Sequence, residues 1–173
     1  MTSTNRVAVI TGASSGIGEA LARELVAEGY RVALLARRLE QIADLADELG
    51  NAALAIRTDV TDRESIVAAA ARVQHELGGA DVLVNNAGVM LTAPFGSEKR
   101  SEHRQMVETN LLGAMTVTEV FLDQLRAKNG DLVNISSVAG RVAPAGFAAY
   151  SATSGGSTAG RRRFASSSSP TSA

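Results

Sequence analysis

The chain has 173 residues, a net charge of −1, no cysteine, 45% hydrophobic residues and 3% aromatic residues. One domain with an aliphatic core is expected. Disulfide scaffolds and thiolate metal sites are excluded, and neither nucleic acid nor an anionic membrane is indicated as a partner. The opening MTSTNRVAVITG holds no apolar run long enough for a signal peptide or a membrane span, so the expected setting is soluble and cytoplasmic.

Short β-branched runs alternate with amphipathic stretches. VAVI at 7–10 reads as a buried strand running into a Thr-Gly turn. Ile17, Leu21 and Leu25 recur every four residues, a helix face closed by Gly29. RVALLA at 31–36 is a second strand. Leu39, Ile42, Ala46 and Leu49 mark a second helix ended by Gly50. Residues 52–57 form a third strand. Asp62 or Thr61 can cap the next helix, whose face is Ile66, Ala70, Val73 and Leu77. Residues 81–84 are a fourth strand. Val107, Leu111, Ala114, Thr118, Leu122 and Leu125 line a long helix, and 131–135 is a fifth strand. This alternation predicts an α/β fold: a Rossmann-type, doubly wound parallel sheet in three α/β/α layers. Ligands in such sheets bind at the carboxyl ends of the strands. His75 and His103 fall among charged neighbours on predicted helices and read as surface residues.

TGASSGIG, residues 11–18, lies between the first strand and the first helix. Glycines there let the backbone approach a pyrophosphate, and the helix N-terminus offers free N–H groups and a positive dipole end. A plain tight turn is the alternative. The position, after a strand and opening a helix, favours the nucleotide.

Five motifs in register then resemble the short-chain dehydrogenase/reductase family over residues 5–153: TGASSGIG, NNAG at 85–88, Asn110 in ETNLLG, NISS at 134–137 and Tyr150 in YSAT, with Ser137 thirteen residues before Tyr150. VMLTAPF at 89–95 and SSVAGRVAPAG at 136–146 are more loosely similar to its clavulanic-acid-dehydrogenase-like and 3-hydroxy-acid-dehydrogenase-like branches. The resemblance implies hydride transfer between a nicotinamide cofactor and a small carbonyl or alcohol substrate. Gly12, Gly16 and Gly18 would shape the pyrophosphate turn, with Ser14, Ser15 and Ile17 touching the cofactor. Asp59 and Val60 would meet the adenine, and Asn86, Ala87 and Gly88 its ribose. Asn110 would kink its helix and hold a relay water, Ser137 would bind the substrate oxygen, and Tyr150 would pass the proton. Taken singly, NNAG could be only a turn, Ser137 a strand end and Tyr150 a core aromatic. Family members also form dimers and tetramers, pairing the long helix with the one after the tyrosine.

The second strand ends at Ala36 rather than at an acid, and Arg37 and Arg38 follow. Arginine offers a charge-assisted fork to a ribose 2′-phosphate, so NADP(H) is the expected cofactor. A pair of solvated arginines is the alternative.

The family carries a lysine four residues after the tyrosine, and here that residue is Ser154. Residues 154–173 hold three arginines, no acid and no Leu, Ile, Val or Met, a local +3 that leaves −4 on the other 153 residues. Such a segment buries too little to offset its ordering entropy. The expectation is a Rossmann domain over 1–153, lacking the family's C-terminal strands and helices, and a disordered tail over 154–173. A single-base shift of GC-rich codons converts the tail to a sequence beginning YSATKWGF, so a reading-frame shift is also expected. On these grounds the chain reads as an impaired NADP-dependent oxidoreductase, the alternative being a non-catalytic NADP-binding remnant or regulator.

Overall fold

The computed structural model of the chain describes residues 5–93, 98–142, 145–156 and 160–163, with the backbone alone at 160–162. The expected motif segments at 94–95 and 143–144, and the tail at 157–159 and 164–173, lie outside the described residues.

Strands β1 (Val7–Thr11), β2 (Arg31–Ala36), β3 (Ala53–Arg57), β4 (Val82–Asn85), β5 (Asp131–Asn134) and β6 (Gly160–Arg163) form one sheet in the order β3-β2-β1-β4-β5-β6. The first five pair in parallel and β6 runs antiparallel to β5. The order reverses beside β1: the chain moves outward through β2 and β3, then returns to place β4 on the other side. Helices α1 (Gly16–Ala27), α2 (Leu39–Leu49), α3 (Arg63–Arg72), α4 (Arg100–Met106), α5 (Ala114–Ala127) and α6 (Ala148–Gly156) make the connections and cover the faces.

Two cores result. One face of the sheet packs Val9, Leu35 and Leu83 against α3 and α5 through Ile66, Ala69, Phe121 and Leu125. The other packs Ile10, Leu34 and Val84 against α1 and α2 through Ala22, Ile42 and Leu45. All five β1 residues are buried, as a central parallel strand with helices on both faces requires. Asp62 settles the α3 cap: its carboxylate accepts the Glu64 N–H at 3.0 Å. No helix among the described residues is long and apolar enough to cross a membrane.

Three sequence expectations change. Ile17 is 64% exposed and leaves the α1 core face to Leu21, Ala22 and Leu25. On α5 the buried row is Val117, Phe121 and Leu125, while Thr118 and Leu122 are half-buried and Val107 is exposed. A π-helical stretch, Val107–Gly113, separates α4 from α5 and resets the phase that a constant helical period assumes. His103 is half-buried, with Nε2 at 2.7 Å from the Ala93 carbonyl, whereas His75 is exposed as expected.

At the C-terminal end, α6 runs past residue 153 to Gly156, with Ser151, Thr153 and Ser154 buried. The Ser136 hydroxyl donates to the Ser154 carbonyl at 2.7 Å and ties the helix to the end of β5. The three residues between Gly156 and Gly160 are too few for a parallel crossover, so β6 pairs antiparallel. Arg163 and Arg6 converge on Asp131, a carboxylate 2% exposed, at 3.4 and 3.2 Å.

Candidate functional site

The site lies at the carboxyl ends of β1, β4 and β5, where the strand order reverses. Its frame is a stitch between β1 and β4. Thr11 Oγ1 accepts the N–H groups of Asn86 and Ala87 at 3.0 Å each and donates to the Val84 carbonyl at 3.3 Å. Asn86 answers with its side chain, Nδ2 donating to the carbonyls of Thr11 at 3.0 Å and Gly12 at 3.2 Å. Asn86 therefore holds the turn in place. Thr11 was absent from the residues expected to act. Its position as the last strand residue, with a hydroxyl just before the first glycine, is the only sequence signal it gives.

This stitch explains two glycines. Gly12 has φ +68, and a Cβ there would lie 2.8 Å from Ala87 Cα. A Cβ on Gly18 would lie 2.5 Å from Asn86 Nδ2 and 2.6 Å from the Gly12 carbonyl oxygen. Both positions need close backbone approach, and Gly12 also needs the left-handed conformation. Gly16, at φ +60, has open space around it and is required for conformation alone.

The first turn of α1 keeps its amides free of side-chain capping, because Ser15 makes no cap bond. The Ser15 hydroxyl goes instead to Arg38, whose Nη2 donates to it at 2.8 Å and to Ser14 Oγ at 3.0 Å. Arg38 thus bridges from the start of α2 to the glycine turn. Arg37 stands across from Asp59. Partial burial pushes the Asp59 carboxyl up, but the Thr61 amide and hydroxyl bound to it, with the Arg37 and Arg57 guanidiniums nearby, outweigh that and hold it below the usual range.

A cleft of about 350 Å³ takes in Gly12, Ser14, Ser15, Arg37, Arg38, Asp59 and Val60. A second cavity of about 320 Å³ continues it past Asn110, Ser137, Tyr150 and Ser154. Ile17, Asn86, Ala87, Gly88 and Val89 line both. Of the residues expected to act, only Gly16 and Gly18 line neither space; they shape the turn from behind. The exposure of Ile17 follows from its place on the wall between the two.

Asn110 sits in the π-helical stretch, and its carboxamide serves as a bracket. Oδ1 accepts the Val89 N–H and Nδ2 donates to the Val89 carbonyl, both at 2.8 Å, and Nδ2 reaches Thr153 Oγ1 at 3.3 Å. It joins the loop after β4 to α6, the helix that carries Tyr150. Ser137 Oγ accepts the Ala139 N–H at 3.1 Å, leaving its own O–H to donate elsewhere. Ser154, at the same cavity, is 7% exposed. A phosphate-bearing ligand fits the first half, with its glycine turn, uncapped amides and two guanidiniums. The second half brings Ser137 and Tyr150 to one cavity. Among the described residues no cluster of His, Asp or Glu could hold a metal ion.

Comparison with known proteins agrees. The short chain dehydrogenase family profile matches residues 6–171. The chain is 40% identical over 157 residues to a serine 3-dehydrogenase of Agrobacterium fabrum, a match covering 90% of the chain and 61% of that protein. It superposes on a short-chain dehydrogenase from Streptomyces avermitilis with TM-score 0.82 and 43% identity, over 87% of this chain and 57% of the other. A serine dehydrogenase in a closed form complexed with NADP+ gives TM-score 0.82 at 33% identity, over 86% of this chain and 61% of its own. The chain thus spans about three fifths of the length of these relatives. Profile, identity and superposition together place it in the short-chain dehydrogenase family.

Proposed function

We propose that this chain is an oxidoreductase that binds NADP(H) along the cleft and acts on a small carbonyl or alcohol, with Tyr150 as its acid/base and a turnover limited by Ser154. The observation that carries the reading is the continuity of the two cavities across Ile17 and Asn86–Val89, which sets a phosphate-shaped half against a proton-transfer half. In this reading the Gly12 turn, shaped from behind by Gly16 and Gly18, and the α1 amides hold the diphosphate, Arg37 and Arg38 hold the 2′-phosphate, and Asp59 and Val60 border the adenine. When bound, the nicotinamide supplies or accepts a hydride. The NADP+ complex of a similar serine dehydrogenase supports the choice of cofactor.

The remaining chemistry belongs to the protein. Ser137 offers its O–H to the substrate oxygen and orients it. Tyr150 gives that oxygen a proton in reduction and takes one in oxidation. Asn110 keeps α6, and with it Tyr150, in register with the loop after β4. A phenol with pKa about 10 is about 0.1% ionised at pH 7. None of the described residues lining the Tyr150 cavity is a lysine or arginine.

That lack of a cation favours the second reading, an NADP-binding remnant or regulator that does not turn over. The two separate in one experiment. NADPH is titrated by its fluorescence, and turnover is then measured with a panel of ketones and with L-serine, in the chain and in Tyr150→Phe. Binding with slow turnover that falls a further ~10²-fold or more in Tyr150→Phe supports the enzyme. Binding with no turnover supports the remnant, and absence of binding overturns both.

A further inference from the structure

We infer that the space beside Tyr150 is a binding site for a small primary ammonium ion, whose charge supplies what the residues around the phenol lack. Its consequence for turnover rests on the reading above, but the site itself is argued from the cavity. Ser154 is buried, and its short side chain leaves room on α6 one turn beyond Tyr150. The cavity measures about 320 Å³, and none of the described residues lining it is a Lys, Arg or His.

Its polar lining is rich in acceptors. Asn134 Oδ1 and Ser137 Oγ accept hydrogen bonds within the protein from Asn85 Nδ2 and Ala139 N. An oxygen of these types has capacity for a second. A separate observation points the same way. Asn85, buried in the same wall, directs Nδ2 at Asn134 Oδ1, Thr118 Oγ1 and the Ala114 carbonyl, while its own Oδ1 is buried with no donor. This wall is short of donors and short of positive charge. A primary ammonium brings three donors, no acceptor and one positive charge. Its alkyl part finds Ile17, Val89 and Ile135 in the same lining.

An opposite charge within about 4–6 Å of an ionising group shifts its pKa by about 1–3 units toward the charged form. A bound ammonium therefore raises the phenolate fraction of Tyr150 at neutral pH. It acts as a countercharge: no bond to it forms or breaks, and it is not consumed.

The test reads Tyr150 directly and needs neither cofactor nor substrate. Tyrosinate absorbance of the full chain is titrated below about pH 10, where a primary ammonium keeps its proton. Salts of methyl-, ethyl-, propyl- and butylammonium are compared with tetramethylammonium and sodium at equal ionic strength. Tyr30, the only other tyrosine, is the internal reference, and Tyr150→Phe assigns the signal. The expected result is about tenfold more Tyr150 phenolate at fixed pH with a saturating primary ammonium, an effect that varies with alkyl length. Ser154→Lys should give the same shift without added amine, and Ser154→Leu, which fills the space, should remove it. An equal response to tetramethylammonium, no response to any primary amine, or a response that survives Ser154→Leu overturns the site. Should Ser154→Leu not fold, the alkyl series on the unaltered chain decides alone. NADPH binding measured alongside separates the failures: a silent amine with intact binding sinks this inference only, and lost binding sinks the proposed function.

Discussion

The two halves of the cleft are built to different standards. On the side of β1 and β2 every strand residue from Val7 to Thr11 and from Val32 to Ala36 is buried, and the residues around the glycine turn have defined partners: Arg38 on Ser14 and Ser15, Asp59 on Thr61, Asn86 on Thr11 and Gly12. On the side of β5 and α6 only Asp131 of the strand is buried, residues 132–134 are half-buried, and none of the described residues lining the cavity around Tyr150 is a lysine or arginine. The phosphate half is complete between residues 7 and 88 because it is made of backbone turns and close contacts that need only their own neighbours. The proton-transfer half draws on a single helix turn beyond Tyr150, where a charge is a side-chain identity and not a fold property. On the proposed function, binding and turnover are therefore separable, and that separation can be attacked from either side.

The strongest attack is on the glycine turn. Gly18→Ala sets a methyl against Asn86 Nδ2 and the Gly12 carbonyl, so Asn86 must leave the carbonyls it bridges. Overpacking of this kind costs about 1–3 kcal/mol, and the upper end corresponds to about 100-fold weaker NADPH binding. Fluorescence titration measures it. An unchanged affinity would mean that the stitch between β1 and β4 does not shape the site. Tyr150 ionisation in the same variant should stay as it was, because the atoms nearest a Cβ on Gly18 belong to Asn86, Gly12 and Ala13 and not to α6.

Next in size is the tie between the halves at the opposite end of the sheet. Arg6 precedes β1 and pairs at 3.2 Å with Asp131, which opens β5. Arg6→Met leaves the buried carboxylate with its contact to Arg163, which is itself 64% exposed. A loss of about 2 kcal/mol is expected, below the 3–5 kcal/mol of a fully buried broken pair because Arg6 is itself part-exposed. Urea unfolding reads it, with a lower midpoint and the same NADPH affinity for the folded chain. Smaller again is Arg38→Ala. Loss of one charge-assisted partner should weaken NADPH about tenfold and leave NADH unaltered. Equal weakening of both would assign Arg38 to shaping the turn through Ser14 and Ser15 instead of choosing the cofactor.

How much of this was legible in the sequence follows the same division. β2 was delimited to the residue and the other parallel strands to within one or two, since buried parallel strands are unbroken aliphatic runs closed by Gly, Asp or Asn. The residues expected to act were picked out as motifs, and all line the cleft or shape its turn. What escaped was relational. Thr11 looks like any strand-ending threonine until Asn86 lies beside it. The buried row of α5 was displaced because both Leu122 and Phe121 suit a core, and only the π-helical stretch around Asn110 decides which turns inward. The course of α6 through Ser154 depends on a hydrogen bond from Ser136, eighteen residues away, and so has no local signature.

The smallest expected effect concerns Asp59, which lines the half of the cleft beside β1 and β2. Its carboxyl is half-buried and held below its usual range: burial opposes ionisation, and the Thr61 amide and hydroxyl with Arg37 and Arg57 overcome that opposition. A depressed folded-state value means stability that is fully present above the unfolded value, near pH 4, and is lost as pH falls through the folded one. Asp59→Asn retains an oxygen for Thr61 but has no charge to lose. At pH 7 the variant should therefore be slightly less stable than the parent, and the gap should close as pH falls from about 5 toward 3. Parallel thermal melts across that range measure it, and a gap that stays constant would show that the hydrogen bonds alone, without the carboxylate charge, organise the turn at residues 59–61. The same substitution removes the negative partner of Arg37, freeing that guanidinium for a phosphate. NADPH affinity at pH 7 should then be maintained or slightly raised while stability falls, so opposite signs of the two effects would mark Asp59 as a residue that restrains Arg37 and supports the fold.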